Sequence, residues 1–264
     1  MSGEALKFRG IILAADEFKD KDKMLTVLTG DYGVIKVCAR GAVKPGAKAA
    51  TVSVPFMLCD ITVNVSHGYY YLKEGTIIQN NIGIYSSLEA MAAAGHISEC
   101  IIESIHQSEN SREAYELSVY AVYALSCKPE NYKMIISAFN WRLLYILGLN
   151  VTYDLCSSCG KYLDEHKHCL LSLKDGEILC SDCLTKLTDH KDYRLMSSAG
   201  ILALNFFANA PLEELYGGTA NDRLSDDLLE YTTEYLSIQF DRRFDSLKQL
   251  KERLSYNPVR REER

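Results

Sequence analysis

A small five-stranded barrel followed by a helical domain with a cysteine-rich insert is the architecture the sequence predicts, an α+β multi-domain class. Three observations predict it. Residues 6–80 read as five short strands separated by turn signals. Helical periodicity takes over after Gly83. Residues 151–192 interrupt that periodicity and hold five of the nine cysteines.

The strands come in order. Phe8–Ala15 is apolar and β-rich and ends in the charged segment DEFKDKDK; Met24–Thr29 then meets a turn at Gly30, Asp31, Tyr32 and Gly33. Val34–Arg40 alternates, with Ile35, Val37 and Ala39 on one face and Lys36, Cys38 and Arg40 on the other. Phe56–Val65, a turn at Ser66, His67 and Gly68, and Tyr69–Ile78 complete the set. Five strands in about 75 residues suit an oligonucleotide-binding (OB) barrel, and an SH3-like barrel would read similarly.

Helices follow. Ser86 with Glu89 makes a capping-box pattern ahead of Met91, Ala94, Ile97, Ile101 and Ile105. Asn110 with Glu113 opens a second helix that ends before Pro129, and a third runs from about Glu130 to Leu147, with Gly148 as its stop. After the insert, Ser197 caps a helix through Phe207, and Ser225 caps another carrying Leu228, Tyr231, Tyr235 and Ile238. A last helix holds Phe244, Leu247, Leu250 and Leu254. The partition is therefore a barrel at 1–80, a helical domain at 81–150 and 193–256, an insert at 151–192, and a charged tail at 257–264.

Composition narrows the function classes. The 264 residues are 47% hydrophobic and 24% charged, which is ordinary globular usage and excludes global disorder. No apolar run has the ~18 residues of a membrane span, and MSGEALKFRG lacks a secretory h-region. With an odd cysteine count, this sets the expectation of a reduced, cytoplasmic protein without a disulfide framework or membrane partner. The net charge of −6 gives no global reason to expect nucleic acid. Local charge does: between Asp31 and Asp60 there is no acidic residue, and the window contains Lys36, Arg40, Lys44 and Lys48. Gly41, Pro45 and Gly46 argue against a continuous helix there, so the window reads as a basic strand and loop. Such cations neutralise phosphates, though an ordinary solvated loop would look the same. Tyr69, Tyr70 and Tyr71 could stack bases, but alternation sends Tyr70 opposite to the other two, and one face must pack the core.

The sharpest chemical signal is Cys156, Ser157, Ser158, Cys159, then twenty residues, then Cys180, Ser181, Asp182, Cys183. Two CxxC knuckles at this separation match a zinc ribbon, each offering two thiolates to one tetrahedral ion. An iron–sulfur cluster accepts the same donors, and two reduced pairs or a redox disulfide need no metal. Cys169–Leu173 and Glu177–Leu179, around Asp175 and Gly176, read as a hairpin between the knuckles. Four thiolates leave no open position for water, so the site argues for folding rather than hydrolysis. Cys169, His166 and His168 lie inside the insert and could substitute for a ligand, but each reads better as a loop or strand residue. Cys38, Cys59, Cys100 and Cys127 read as small buried hydrophobes. No phosphate-binding loop, dinucleotide fingerprint, nucleophile elbow or HExxH motif occurs, and neither an enzyme activity nor a small-molecule substrate is indicated.

The whole arrangement resembles the bacterial recombination-mediator family RecO. The resemblance is carried by GIILAADEFKDKDKMLTVLTGDYGVIKVCARGAVKP at 10–45, PFMLCDITV at 55–63, GYYYLKEGTII at 68–78, RLLYILGLNVTYDLCSSCG at 142–160 and the later knuckle CSDC. It covers nearly the full chain. It implies an N-terminal OB fold, a helical C-terminal domain and a four-cysteine zinc site at Cys156, Cys159, Cys180 and Cys183. It also implies a non-enzymatic mediator of RecF-pathway repair that binds single- and double-stranded DNA and anneals complementary strands. The implied partners are RecR and the C-terminal tail of the single-stranded DNA-binding protein SSB, with loading of RecA as the outcome. The family's basic loop looks like Arg40 to Pro45 here, which makes Arg40 and Lys44 the first phosphate contacts and Lys36 and Lys48 the next. Lys19, Lys21 and Lys23 are interleaved with Asp20 and Asp22 and carry less field. For the SSB tail the resemblance implies a groove on the helical domain with a cation; no short motif assigns it to positions, and Arg142 is one candidate. The acidic remainder of the chain fits a mediator whose DNA affinity depends on partners. The competing reading is a protein-interaction adaptor whose barrel and insert scaffold partners.

Overall fold

The computed structural model describes residues 5–44, 46–105, 111–149, 151, 153–163, 168–184, 192–244 and 246–247. Five strands, β1 (Ala5–Phe18), β2 (Asp22–Thr29), β3 (Gly33–Ala39), β4 (Leu58–Ser66) and β5 (Tyr69–Gln79), close into a barrel of order β1-β2-β3-β5-β4. All neighbours are antiparallel except β3 and β5, which run parallel and share only the pairs Val37 with Tyr70 and Cys38 with Tyr71. This Greek-key closure is that of an OB barrel, and it removes the free edges that an open five-stranded sheet would expose. The alternation reading of β3 holds: Ile35, Val37 and Ala39 are buried with Phe8, Ile12, Leu25, Val27, Ile61 and Val63, while Lys36 points to solvent.

The β3–β4 connection contains one helical turn, α1 (Lys48–Thr51). Two backbone tethers fix the start of that connection: the Gly41 amide donates to Asp22 Oδ1 at 2.8 Å, and the Val43 amide donates to the Lys21 carbonyl at 3.2 Å. After β5 come α2 (Leu88–Ser104) and α3 (Ser111–Cys127). The α2 cap is Ser87 and not Ser86: Ser87 Oγ accepts from the Ala90 amide at 3.0 Å, while Ser86 Oγ donates to the Gly83 carbonyl. Ala94, Ile97, Ile101 and Ile105 are buried as their spacing predicts, but Met91 is exposed. Ser98 donates to the Leu13 carbonyl and Ser111 to the Gly30 carbonyl, tying both helices to the barrel. Ser87→Ala is expected to cost about 1 kcal/mol in chemical denaturation, whereas Ser86→Ala should change little, since removing an N-cap typically costs that much.

A second unit begins with α4 (Tyr132–Ile146), which ends on Gly148 with its φ at +72°. Then come β6 (His168–Ser172), β7 (Ile178–Cys180), α5 (Ser181–Leu184), β8 (Tyr193–Ser197), α6 (Ser198–Asn209), α7 (Leu212–Leu215) and α8 (Asp222–Gln239). The expected hairpin is present as β6 and β7, and β8 adds to it, giving a sheet of order β7-β6-β8. Ser197 caps α6 as expected, accepting from the Gly200 amide. The α8 cap is Asn221, whose Oδ1 accepts from the Leu224 amide at 2.9 Å; Ser225 lies within the helix and is buried. Trp141 stacks on Tyr153, centroids 5.4 Å apart, and Tyr153 shares a 2.8 Å hydroxyl bond with Tyr231, which donates to the Ser172 carbonyl. This aromatic core fastens the cysteine-rich sheet to α4 and α8.

The chain forms two compact units. One compact unit is Met1–Glu130 with Phe244–Arg264, and the other is Asn131–Arg243. Phe244 packs edge-on against His96 of α2 at 5.4 Å, and Ser246 Oγ donates to Glu99 at 2.7 Å. The Asn110 cap, His106, His166, Leu250, Leu254 and the tail at 257–264 lie outside the described residues.

Candidate nucleic-acid interface and metal centre

Lys36, Arg40, Lys44 and Lys48 are all exposed. None is within ion-pair distance of a carboxylate among the described residues. Arg9, another exposed barrel cation, makes the contrast, because it holds Asp60 through two bonds of 2.8 and 3.2 Å. That bond also keeps the Asp60 carboxyl below the usual carboxylate range. The four unpaired cations do not gather at one spot. Lys36 and Arg40 line a groove of about 580 Å³, with Phe18, Lys19, Asp22, Met24, Cys38 and the three tyrosines, whereas Lys44 and Lys48 sit further along the β3–β4 connection.

The groove follows from strand register. Arg40 directly follows β3, and Tyr69 to Tyr71 open β5, so the short parallel pairing of β3 with β5 sets these side chains beside one another. The Arg40 guanidinium carbon lies 4.4 Å from the Tyr71 ring centroid, a cation–π contact. Lys36 Nζ donates to Thr26 Oγ1 at 2.6 Å, which fixes the ammonium without neutralising it. Tyr69 is 67% exposed, and Tyr70 packs against the barrel core, which resolves the tyrosine trio. Burial, aided by Asp22, pushes the Cys38 thiol up and keeps it neutral. Three cations, Lys19, Lys36 and Arg40, therefore face the single carboxylate of Asp22, which is itself bonded to the Gly41 amide. Phe18 and Met24, on β1 and β2, have no sequence signature as groove residues, because only the β1–β2 turn brings them there.

The second constellation is Cys156, Cys159, Cys180 and Cys183, whose Sγ atoms all lie within 4.8 Å of one another. Cys159 and Cys180 are 3.7 Å apart, close to the ~3.8 Å edge of a tetrahedron built on 2.3 Å metal–sulfur bonds. The first knuckle turns at Gly160, φ +70°, whose amide donates to the Cys156 carbonyl at 2.9 Å. The second starts at the end of β7 and continues into α5. Burial raises the Cys156 thiol, but backbone amides of Cys180, Cys159 and Ser158 outweigh it and bring the group down to about 6. The Cys180 amide to Cys156 Sγ distance is 3.3 Å. The arrangement suits a metal ion: a thiolate is ready near neutral pH, and only Cys159 of the four is exposed. Cys169, paired across the sheet with Cys180, stays outside the cluster, and burial pushes its thiol up to about 11. His168 is exposed on β6. Of the other cysteines, Cys38, Cys59 and Cys100 are buried as expected, while Cys127, the last residue of α3, is exposed.

Arg142 is half-buried beside α6. Its Nε donates to the Phe207 carbonyl at 2.6 Å and its Nη2 to the Ala210 carbonyl, so it closes the C-terminus of α6. Burial lowers its pKa from the ordinary arginine value. Among the described residues, no helix is long and apolar enough to cross a membrane.

A closed OB barrel with cations beside an aromatic groove, followed by a helical unit with a four-cysteine cluster that could hold a metal ion, defines the class of two-unit barrel protein to which this chain belongs. Comparison with known proteins supplies the family. Recombination protein O N terminal matches residues 1–81 and Recombination protein O C terminal matches residues 85–248, and the chain belongs to the RecO family. It is 27% identical over 242 residues to a DNA repair protein RecO of Clostridium perfringens, covering 92% of this chain and 96% of that one. It is 24% identical over 234 residues to its counterpart in Clostridium acetobutylicum, with 89% and 92% covered. A Bacillus pumilus relative of the same name is 24% identical over 255 residues, with 93% and 96% covered.

Proposed function

We propose that this protein is a non-enzymatic DNA-repair mediator that binds single- and double-stranded DNA on its barrel and anneals complementary strands. The observation that carries the reading is the set of unpaired cations Lys36, Arg40, Lys44 and Lys48 on a closed OB barrel, two of them at an aromatic groove. Lysine and arginine at that surface replace condensed counterions on two backbones at once. Bringing two strands close then costs less repulsion, and base pairing needs no covalent step. The reading extends to action in the cytoplasm, at the nucleoid, with RecR and the SSB C-terminal tail to promote RecA loading. One structural Zn²⁺ held by Cys156, Cys159, Cys180 and Cys183 completes it. The relatives' shared name, DNA repair protein RecO, supports the repair setting.

The test is annealing of two complementary labelled single strands coated with SSB, with and without the protein, across a salt series. Acceleration that declines as salt rises is expected. No acceleration at low salt, with SSB binding confirmed, sinks the annealing reading and favours the adaptor, with RecR as the next component to add.

A further inference from the structure

The barrel groove holds more than charge. Phe18, Tyr69 and Tyr71 supply three aromatic rings in a cavity of about 580 Å³, inside the roughly 300–1,000 Å³ range of small-ligand sites. Lys44 and Lys48 are as cationic as Arg40 but stand outside it. A surface that only collected phosphates would need neither the cavity nor the rings.

Arg40 has a plane as well as a charge. Its guanidinium lies over the Tyr71 ring at 4.4 Å, and the residue stays exposed. A planar cation already seated on one aromatic face offers its other face to a second flat π-system. Tyr69, 67% exposed, is available as a further stacking surface at the same groove. Lys36 and Lys19 flank the cavity and can take the adjoining phosphates, while the neutral Cys38 and the apolar Met24 add no anion to it.

We propose that this groove is a base-stacking subsite that takes one unpaired nucleobase of single-stranded DNA onto the Arg40–Tyr71 pair, with Lys36 and Lys19 on the flanking phosphates. The inference rests on the DNA-binding reading above and deepens it. A base inside a duplex is covered above and below by its neighbours and cannot enter. The groove therefore discriminates by strandedness, whereas Lys44 and Lys48, which meet only backbone, do not. In annealing, the seated base must leave the groove to pair, so completion of the duplex weakens the protein's hold on its product.

The test uses the full chain and a thymidine oligonucleotide carrying one 2-aminopurine, with a matched duplex. Wild-type protein is expected to quench the 2-aminopurine of the single strand. Arg40→Lys keeps the charge and removes the plane. It should lower single-strand affinity about tenfold, the scale of stacking a single base, and so reduce the ratio of single- to double-strand affinity and abolish the quench. Tyr69→Ala, at an exposed position, should move the ratio in the same direction and guards against a folding defect in one variant. Lys44→Ala should lower both affinities together, leaving the ratio within about twofold, as a backbone-binding cation does. If wild type binds DNA but leaves 2-aminopurine unquenched, or if Arg40→Lys and Tyr69→Ala both keep the wild-type ratio, the stacking subsite is overturned and the electrostatic reading stands. If wild type binds neither DNA at low salt, both fall.

Discussion

On the proposed structural-zinc reading, chelation, or replacing Cys156 and Cys180 together by serine, is expected to unfold the β7-β6-β8 sheet and lower the stability of the unit formed by residues 131–243. The sheet is small, and β7 has only three residues. Three of the four cysteines are buried with their sulfurs within 4.8 Å of one another. Without an ion, these groups are either protonated in a crowded pocket or mutually repelling thiolates. Structural zinc contributes roughly 10–16 kcal/mol of apparent folding free energy in small zinc-finger peptides. Here the Tyr153–Tyr231–Ser172 chain already anchors the sheet, so a loss on the order of 5 kcal/mol is the expected scale. The protein reports on itself, because its single tryptophan, Trp141, stacks on Tyr153 in that core. Chelation should red-shift Trp141 emission and lower the thermal midpoint, with one zinc released per chain. Full metal release with unchanged emission and midpoint would show that the ion holds nothing together.

The same site sets a pH dependence. Cys156 is held down to about 6, below its unfolded value, so it is a thiolate above that pH and a neutral thiol beneath it. Zinc uptake by the metal-free protein should therefore slow as pH falls through about 6. An uptake rate that stays unchanged from pH 7 down to pH 5 would show that Cys156 does not make the first metal contact.

The other large effect is electrostatic. Reversing Arg40 and Lys44 to glutamate should weaken DNA binding at least about 100-fold at moderate salt and remove the annealing acceleration. For each phosphate no longer neutralised, the slope of log affinity against log salt should fall by about 1. Both side chains are exposed and neither forms an ion pair among the described residues, so the fold should be untouched. Superimposable circular dichroism with unchanged DNA affinity would relocate the binding surface. Arg9→Glu would disrupt the Asp60 pair instead, which makes it a poor control for charge alone.

Much of this is legible in the sequence because the physics acting there is local. Ile35, Val37 and Ala39 alternate with Lys36 because a strand has two faces, and the paired CxxC knuckles announce four donors for one ion. The features without a sequence signature depend on residues meeting across the fold. Ser86 and Ser87 are equally good caps by residue type, and the Gly83 carbonyl takes the first for another bond. The bonds from Arg142 to the last carbonyls of α6 join residues about 65 positions apart and have no local signature. Tyr193–Ser197 joins β6 across an intervening segment, and that register has no signature in its five residues. The meeting of Arg40 with Tyr71 depends on two parallel pairs joining β3 to β5, strands separated by the whole of β4.

The return of Phe244 to His96 has a consequence for synthesis. Residues 131–243 are inserted within the sequence of the unit that begins at the N-terminus, so that unit stays unfinished while the insertion is made. At about 5–20 residues per second, the delay is on the order of 10 s. Throughout it, the face of α2 around His96 and Glu99 lacks its cover. The barrel, which needs nothing beyond β5 to close, can fold early on the ribosome, while α2 waits for the last part of its own unit to emerge.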